Sequence, residues 1–207
     1  MNSTCRAHVT LLATVLVLAA CSSSPKPVPK VTGAVEGSAP GPAYGKTSPG
    51  AFTWSAHMQA ARGQLESSLR GTGVTVDRST DDRLWVTLPG DISFEANRSA
   101  LKPGARAALD QVSLALRKLG PVDVRIVGHT DSKGSTAANN ALSLDRAAST
   151  RDWLVARGLS PARVAVAGRG AQDPVAENDT ESGRASNRRV EILIGERAPA
   201  VTPSAGR

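Results

Sequence analysis

The sequence predicts an α/β fold in which helices pack on a mixed β-sheet. Two observations carry this. Apolar residues recur at helical spacing from Ala105 through Leu109, Val112 and Leu116 to Leu119. Short alternating runs, among them Val122, Val124 and Ile126, lie between such helical stretches. Strands alternating with helices imply an α/β sandwich with parallel pairs in its sheet.

In chain order, residues 52–70 read first as an amphipathic helix, with Met58, Ala61, Leu65 and Leu69 three or four positions apart. Gly71 and Gly73 end it. Val74-Thr75-Val76 and Leu84-Trp85-Val86-Thr87-Leu88 alternate as strands, joined by a polar loop with Asp81 and Asp82. They form a small preceding unit or the first hairpin of the main domain. The direct run from Leu88 into Ile92 and Phe94 favours the hairpin. Pro103 suits the first position of the next helix, which Gly120-Pro121 stops. The strand from Val122 ends at Gly128. A second long helix covers 136–157, with Ser143, Ala147, Thr150 and Leu154 as its buried stripe and Gly158 as its cap. A strand over 163–168, a loop over 170–178, a short helix over 181–186 and a last strand over 189–194 complete the domain.

The beginning of the chain reads as an export signal. Arg6 precedes the apolar run over 11–18, which is too short to span a bilayer. Leu18-Ala19-Ala20-Cys21 resembles the lipobox of bacterial lipoproteins, in which the cysteine is acylated after cleavage. The alternative is an ordinary secreted protein cut at small residues. Cysteine usage favours the lipobox: Cys5 leaves with the signal, and Cys21 would otherwise be a lone thiol in an oxidising compartment. Ser22 fits outer-membrane sorting in such lipoproteins. Residues 22–50 are rich in Ser, Pro, Gly and Lys and lack apolar periodicity, which makes them a tether. Its root-mean-square span is roughly 30 Å and its reach about 100 Å. The predicted organisation is a signal over 1–20, acylated Cys21 with the tether to 50, a helix-and-hairpin extension over 51–82, a binding domain over 83–195 and a frayed polar tail over 196–207.

The formal net charge is +7. Nucleic acid is not the expected partner: the basic residues are dispersed, stacking aromatics are scarce, and the chain is exported. Attraction to polyanionic wall polymers or membrane surfaces suits the charge better. No metal-ligand spacing, cofactor motif or nucleophile motif is expected to act here. His129 lies two residues from Asp131, but an Asp/Arg pair without a tuned base suits binding rather than catalysis.

The chemistry concentrates in one string. Gly128-His129-Thr130-Asp131-Ser132-Lys133-Gly134 places Asp131 in a Gly-flanked loop after a strand end. Asn139, Leu142 and Arg146 follow at i, i+3 and i+7, on one helical face and apart from the buried stripe. An acid and a base facing one cleft make a receptor for a zwitterion. Two other readings stand beside this: Asp131 as an Asx-turn or helix cap, and Arg146 as a surface arginine or the salt-bridge partner of Asp131.

This string, with Ile92-Ser93-Phe94 before it and Asn187-Arg188-Arg189-Val190-Glu191-Ile192 after it, resembles the OmpA-like peptidoglycan-binding domain. That family's pattern is a TD-x-x-G loop, an Asn, then L-S-x-x-R-A, and the resemblance runs from about residue 91 to 194. It implies a two-layer sandwich with helices on one face of the sheet. It implies that Asp131 and Arg146 grip the diaminopimelate of a peptidoglycan stem peptide, with Asn139 at the helical Asn position. Leu142 and Thr130 fall within the same motif. Arg188 matches an arginine at the pocket rim, or pairs with Glu191 or Asp179. Phe94 and Asn97 match the bordering loop, or serve as core and turn. The function implied is non-covalent attachment of an outer-membrane lipoprotein to the wall from the periplasmic side. The alternative is an adaptor whose segment 51–70 engages an envelope protein partner.

Overall fold

A computed structural model describes residues 52–197. The signal, Cys21, the tether and the tail beyond residue 197 lie outside the described residues. The described residues form six strands and five α-helices. They are β1 (Phe52–Thr53), α1 (Ala56–Ser68), β2 (Thr75–Arg78), β3 (Leu84–Pro89), α2 (Gly90–Ser93), α3 (Pro103–Leu119), β4 (Asp123–His129), α4 (Thr136–Val155), β5 (Val164–Gly168), α5 (Glu181–Asn187) and β6 (Arg189–Arg197). A 3-10 turn, Pro161–Arg163, leads into β5.

The sheet order is β2-β3-β6-β4-β5, with β1 added to β6. It is mixed, but only β4 and β5 are parallel among the described strands. The expectation of several parallel pairs is corrected. The physical reason is β6, the last strand, which inserts between β3 and β4 and runs antiparallel to both. The β3–β4 link also carries a long helix, α3, and leaves these two strands running the same way, but β6 lies between them; the α4 crossover alone joins neighbouring parallel strands among the described residues.

Alternation places Leu84, Val86, Leu88, Val124, Ile126, Val190, Ile192 and Ile194 in the core. Helix α4 packs on β4 and β5, α3 on α4, and α1 on α3. Met58, Ala61, Leu65 and Leu69 of the α1 segment join this same core, as do Val76 of β2 and the α3 stripe of Ala105, Leu109, Val112, Leu116 and Leu119. The segment 52–82 is therefore packed into the core with the later elements.

Two boundaries differ from expectation. Phe52 and Thr53 are strand rather than helix, and α1 starts only after Ser55, whose hydroxyl accepts from the Met58 amide. Correspondingly, Glu196 and Arg197 extend β6 by pairing with Thr53 and Phe52 and do not begin the tail. Each of these short stretches pairs with the other, Phe52 with Arg197 and Thr53 with Glu196, from opposite ends of the described chain.

What positions the site is the contact of α4 with the sheet. Gly128 and Gly168 are register partners on β4 and β5. A Cβ on Gly128 would meet the Ser143 carbonyl at 1.9 Å, and one on Gly168 would meet the Leu144 amide at 2.6 Å. Two facing glycines thus form a seat into which the α4 backbone sinks.

Candidate functional site

A cleft of about 410 Å³ opens where β4 ends and α4 begins. Its walls include Phe94, Asn97, Thr130, Asp131, Asn139, Leu142, Arg146 and Arg188, so every domain residue expected in the site lines one cavity. Gly90, Asp91, Glu95, Ala96, Lys102 and Lys133 complete it.

The Asp131 loop is built from local bonds. Asp131 Oδ1 accepts from the Lys133 amide at 3.0 Å, an Asx-turn. Gly134, at φ +94°, takes the left-handed turn that a side chain would strain. Ser135 caps α4 through the Ala138 amide. Asn139 is buried, and its Nδ2 donates to the carbonyls of Asp131 and Lys133 at 3.2 and 3.0 Å. Asn139 therefore holds the loop against the helix. Thr130 is buried beside it with an Oγ1 that meets no partner among the described residues, while its amide donates to the Gly170 carbonyl.

Arg146 is 5% exposed. Its Nε donates to the Arg98 carbonyl at 3.1 Å, and its guanidinium lies 5.2 Å from the centroid of the Phe94 ring. No carboxylate of the described residues forms an ion pair with it. Burial pulls its pKa below the ordinary arginine value, against the opposing pull of Asp91 and Asp131. Phe94, 1% exposed, is at once core and the platform under this cation. Leu142 is half-buried one turn earlier on the helix. Asn97 is exposed at φ +53° and turns the loop between Glu95 and Ala100.

The pairing between Asp131 and Arg146 weighed from sequence does not form. Arg188 takes that place, its Nη1 donating to Asp131 Oδ2 at 2.7 Å. Its Nε and Nη2 donate to the two oxygens of Asp91, both at 2.7 Å, and Nη2 also to Glu181 at 2.9 Å. The alternative pairing of Arg188 with Glu191 or Asp179 is corrected: its carboxylate partners are Asp91, Asp131 and Glu181. Position 191 alternates to the other side of β6, where Glu191 meets Arg189 at 2.7 Å and His129 at 3.7 Å. Burial alone would raise the Glu191 pKa, but His129 and Arg189 outweigh it and hold it below the ordinary value. His129 belongs to this buried cluster and not to the cleft.

Bonds to Arg188 hold the Asp91 carboxyl below the ordinary carboxylate range. Bonds from Arg184 and then Arg188 take Glu181 down to about 2. Arg188 itself is raised, chiefly by its bonds to Asp91. Sequence reasoning missed Asp91 and Glu181 as partners of this arginine. Asp91 stands beside the Ile92-Ser93-Phe94 block, but no spacing rule links it to a residue 97 positions later.

Residues 93–188 match the OmpA family. A solved structure, the cell wall anchor of the T6SS from Pseudomonas aeruginosa, superposes with a TM-score of 0.58 at 31% identity, over 66% of this chain and 99% of that one.

The chain carries an OmpA family domain.

Two curated relatives share it. Probable lipoprotein YiaD of Escherichia coli (strain K12) is 36% identical over 138 residues, 67% of this chain and 63% of that protein. Peptidoglycan-binding protein ArfA of Mycobacterium tuberculosis (strain ATCC 25618 / H37Rv) is 40% identical over 105 residues, 51% of this chain and 32% of that protein. The chain thus spans less than two thirds of either relative. The OmpA family match takes in the cleft residues from Phe94 to Arg188 but not Gly90 and Asp91, and β1, α1, β2 and β3 precede it. Among the described residues, no helix is long and apolar enough to cross a membrane.

Proposed function

We propose that this chain binds diaminopimelate-type peptidoglycan non-covalently and ties the outer membrane to the wall. The observation that carries the reading is Arg146, a buried guanidinium in the wall of an open cleft with no carboxylate of its own. A buried cation without a paired carboxylate is costly, and a ligand carboxylate would relieve it. Its planar fork suits bidentate capture of that group. Asp131, across the same cleft, receives the ammonium borne on the same carbon of diaminopimelate. Lysine-type stem peptides lack the distal carboxylate, leaving Arg146 unpaired, and this penalty supplies the specificity. The names of ArfA and of the cell wall anchor support a wall ligand.

Cys21, acylated in the outer membrane, is the other end of the link, with the domain facing the periplasm. YiaD's name supports the lipoprotein reading. Each wall contact can be weak, because the density of stem peptides within the tether's reach keeps the domain engaged. The function is binding, not catalysis. The adaptor alternative rests on residues 51–70. The apolar stripe of α1 is buried within the domain, which favours the tether.

Co-sedimentation with diaminopimelate-type wall tests the reading, with lysine-type wall as control. Asp131→Ala and Arg146→Ala should each abolish sedimentation while circular dichroism stays native. Normal sedimentation of both variants overturns the site.

A further inference from the structure

We infer that Asp91 preserves the charge that an incoming ammonium meets at Asp131, acting through Arg188. The inference rests on the peptidoglycan reading above. Asp131 is the proposed ammonium receptor, yet both of its oxygens are already engaged, Oδ1 by the Lys133 amide and Oδ2 by Arg188 Nη1. A guanidinium on that carboxylate opposes the capture of a second cation. Arg188 is restrained from full engagement by its other partners. Asp91 takes its Nε and Nη2 at 2.7 Å each, and Glu181 shares Nη2. Only Nη1 is left for Asp131.

Glu181 is met by Arg184 as well, which donates to it through Nε at 3.1 Å and Nη2 at 2.8 Å. Asp91 and Asp131 are thus left to share Arg188, two carboxylates to one guanidinium, and this side of the cleft keeps an excess of negative charge. The nearby lysines do not bond to either carboxylate. Lys133 lies 3.7 Å from Glu181 with two thirds of its side chain in solvent, and Lys102 donates to the Asp91 carbonyl rather than its carboxylate. A carboxylate offers about four lone-pair sites. Two of those on Asp131 remain for the ligand. Without Asp91, the Arg188 fork is released to grip Asp131 bidentately, the stronger arrangement. Asp91 is thus a positioning residue that sets selectivity for the ammonium.

The test measures calorimetric binding to the full chain. One ligand is the tripeptide L-Ala-γ-D-Glu-meso-diaminopimelate. The other carries 2-aminopimelate in the third position, which keeps the distal carboxylate and lacks the ammonium. Asp91→Asn should weaken the first by about tenfold and the second by about twofold or less, and Asp91→Glu should restore most of the difference. Equal weakening of both ligands would make Asp91 merely structural and overturn the inference, as would unchanged affinity for both. If the wild-type chain binds neither tripeptide, the peptidoglycan reading fails, and this inference with it.

Discussion

Arg188 holds Asp131 at 2.7 Å, whereas Arg146 forms no ion pair among the described residues and lies over the Phe94 ring. The cleft therefore separates two tasks that a direct Asp131–Arg146 bridge would have merged. Arg188 keeps the acid in place, and Arg146 remains available to an anion.

That separation predicts an unusual variant. Arg146→Met removes a buried charge and keeps much of the side chain's apolar length. Lost bonding to the Arg98 carbonyl and lost contact with Phe94 offset the gain from removing the charge. Stability in urea should stay within about 1 kcal/mol of wild type, while wall binding disappears. A loss above about 3 kcal/mol would show that Arg146 is a structural group.

Asn139 makes a different prediction, because its amide donates to two carbonyls of the Asp131 loop. Asn139→Asp has no hydrogens to give and places a carboxylate against those oxygens. Wall affinity should fall at least tenfold, and stability by about 1–3 kcal/mol. Retained affinity in a pull-down would show that the loop needs no such brace.

The glycine seat can be tested with one methyl group. Gly128→Ala directs Cβ at the Ser143 carbonyl, 1.9 Å away in the present packing. Helix α4 must lift, at a cost of about 3 kcal/mol or more, and Arg146 and Asn139 move with it. Chemical denaturation and co-sedimentation should decline together. Gly104→Ala, on an α3 position with open space around it, is the neutral control.

Acid sensitivity follows from the carboxylates around Arg188. Glu181 falls from an ordinary 4.5 to about 2 in the folded protein, and Asp91 is shifted in the same direction. Their contribution to stability is fully present above about pH 4.5 and is lost as pH falls towards about 2. Melting temperature should decline over that window, and less steeply in Asp91→Asn. Parallel profiles for the two proteins would remove Asp91 from the acid response.

The anchor is a separate matter of chemistry at one thiol. Cys21→Ser should release the protein from membranes into the soluble periplasmic fraction. Unchanged membrane retention would refute acylation at this site.

Much of the fold was legible because its signals are local. The Ala105 to Leu119 stripe, the Val122–Ile126 alternation and the Ser143/Ala147/Thr150/Leu154 stripe each record which side of an element is buried, and all are buried as expected, apart from the intervening polar positions. The cleft residues were legible through matched blocks in the right order. What sequence periodicity lacks is pairing across distance. Phe52 pairs with Arg197 and Arg188 with Asp91 only after the sheet has formed. The same limit hid the position of β6, since insertion of the last strand between β3 and β4 leaves no periodic trace.

The pairing of β1 with the far end of β6 has a mechanical consequence. Arg189, at the start of β6, lies opposite His129 at the cleft end of β4, while Phe52 lies opposite Arg197 at the other end. The nine residues of β6 run from one point to the other, about 27 Å of strand. A pull between the cleft and Phe52 is thus directed along the strands. Inter-strand hydrogen bonds run across that direction, so they are loaded together in shear and not peeled apart one at a time. In the proposed tethering role, the domain is strained along the axis on which its sheet resists best.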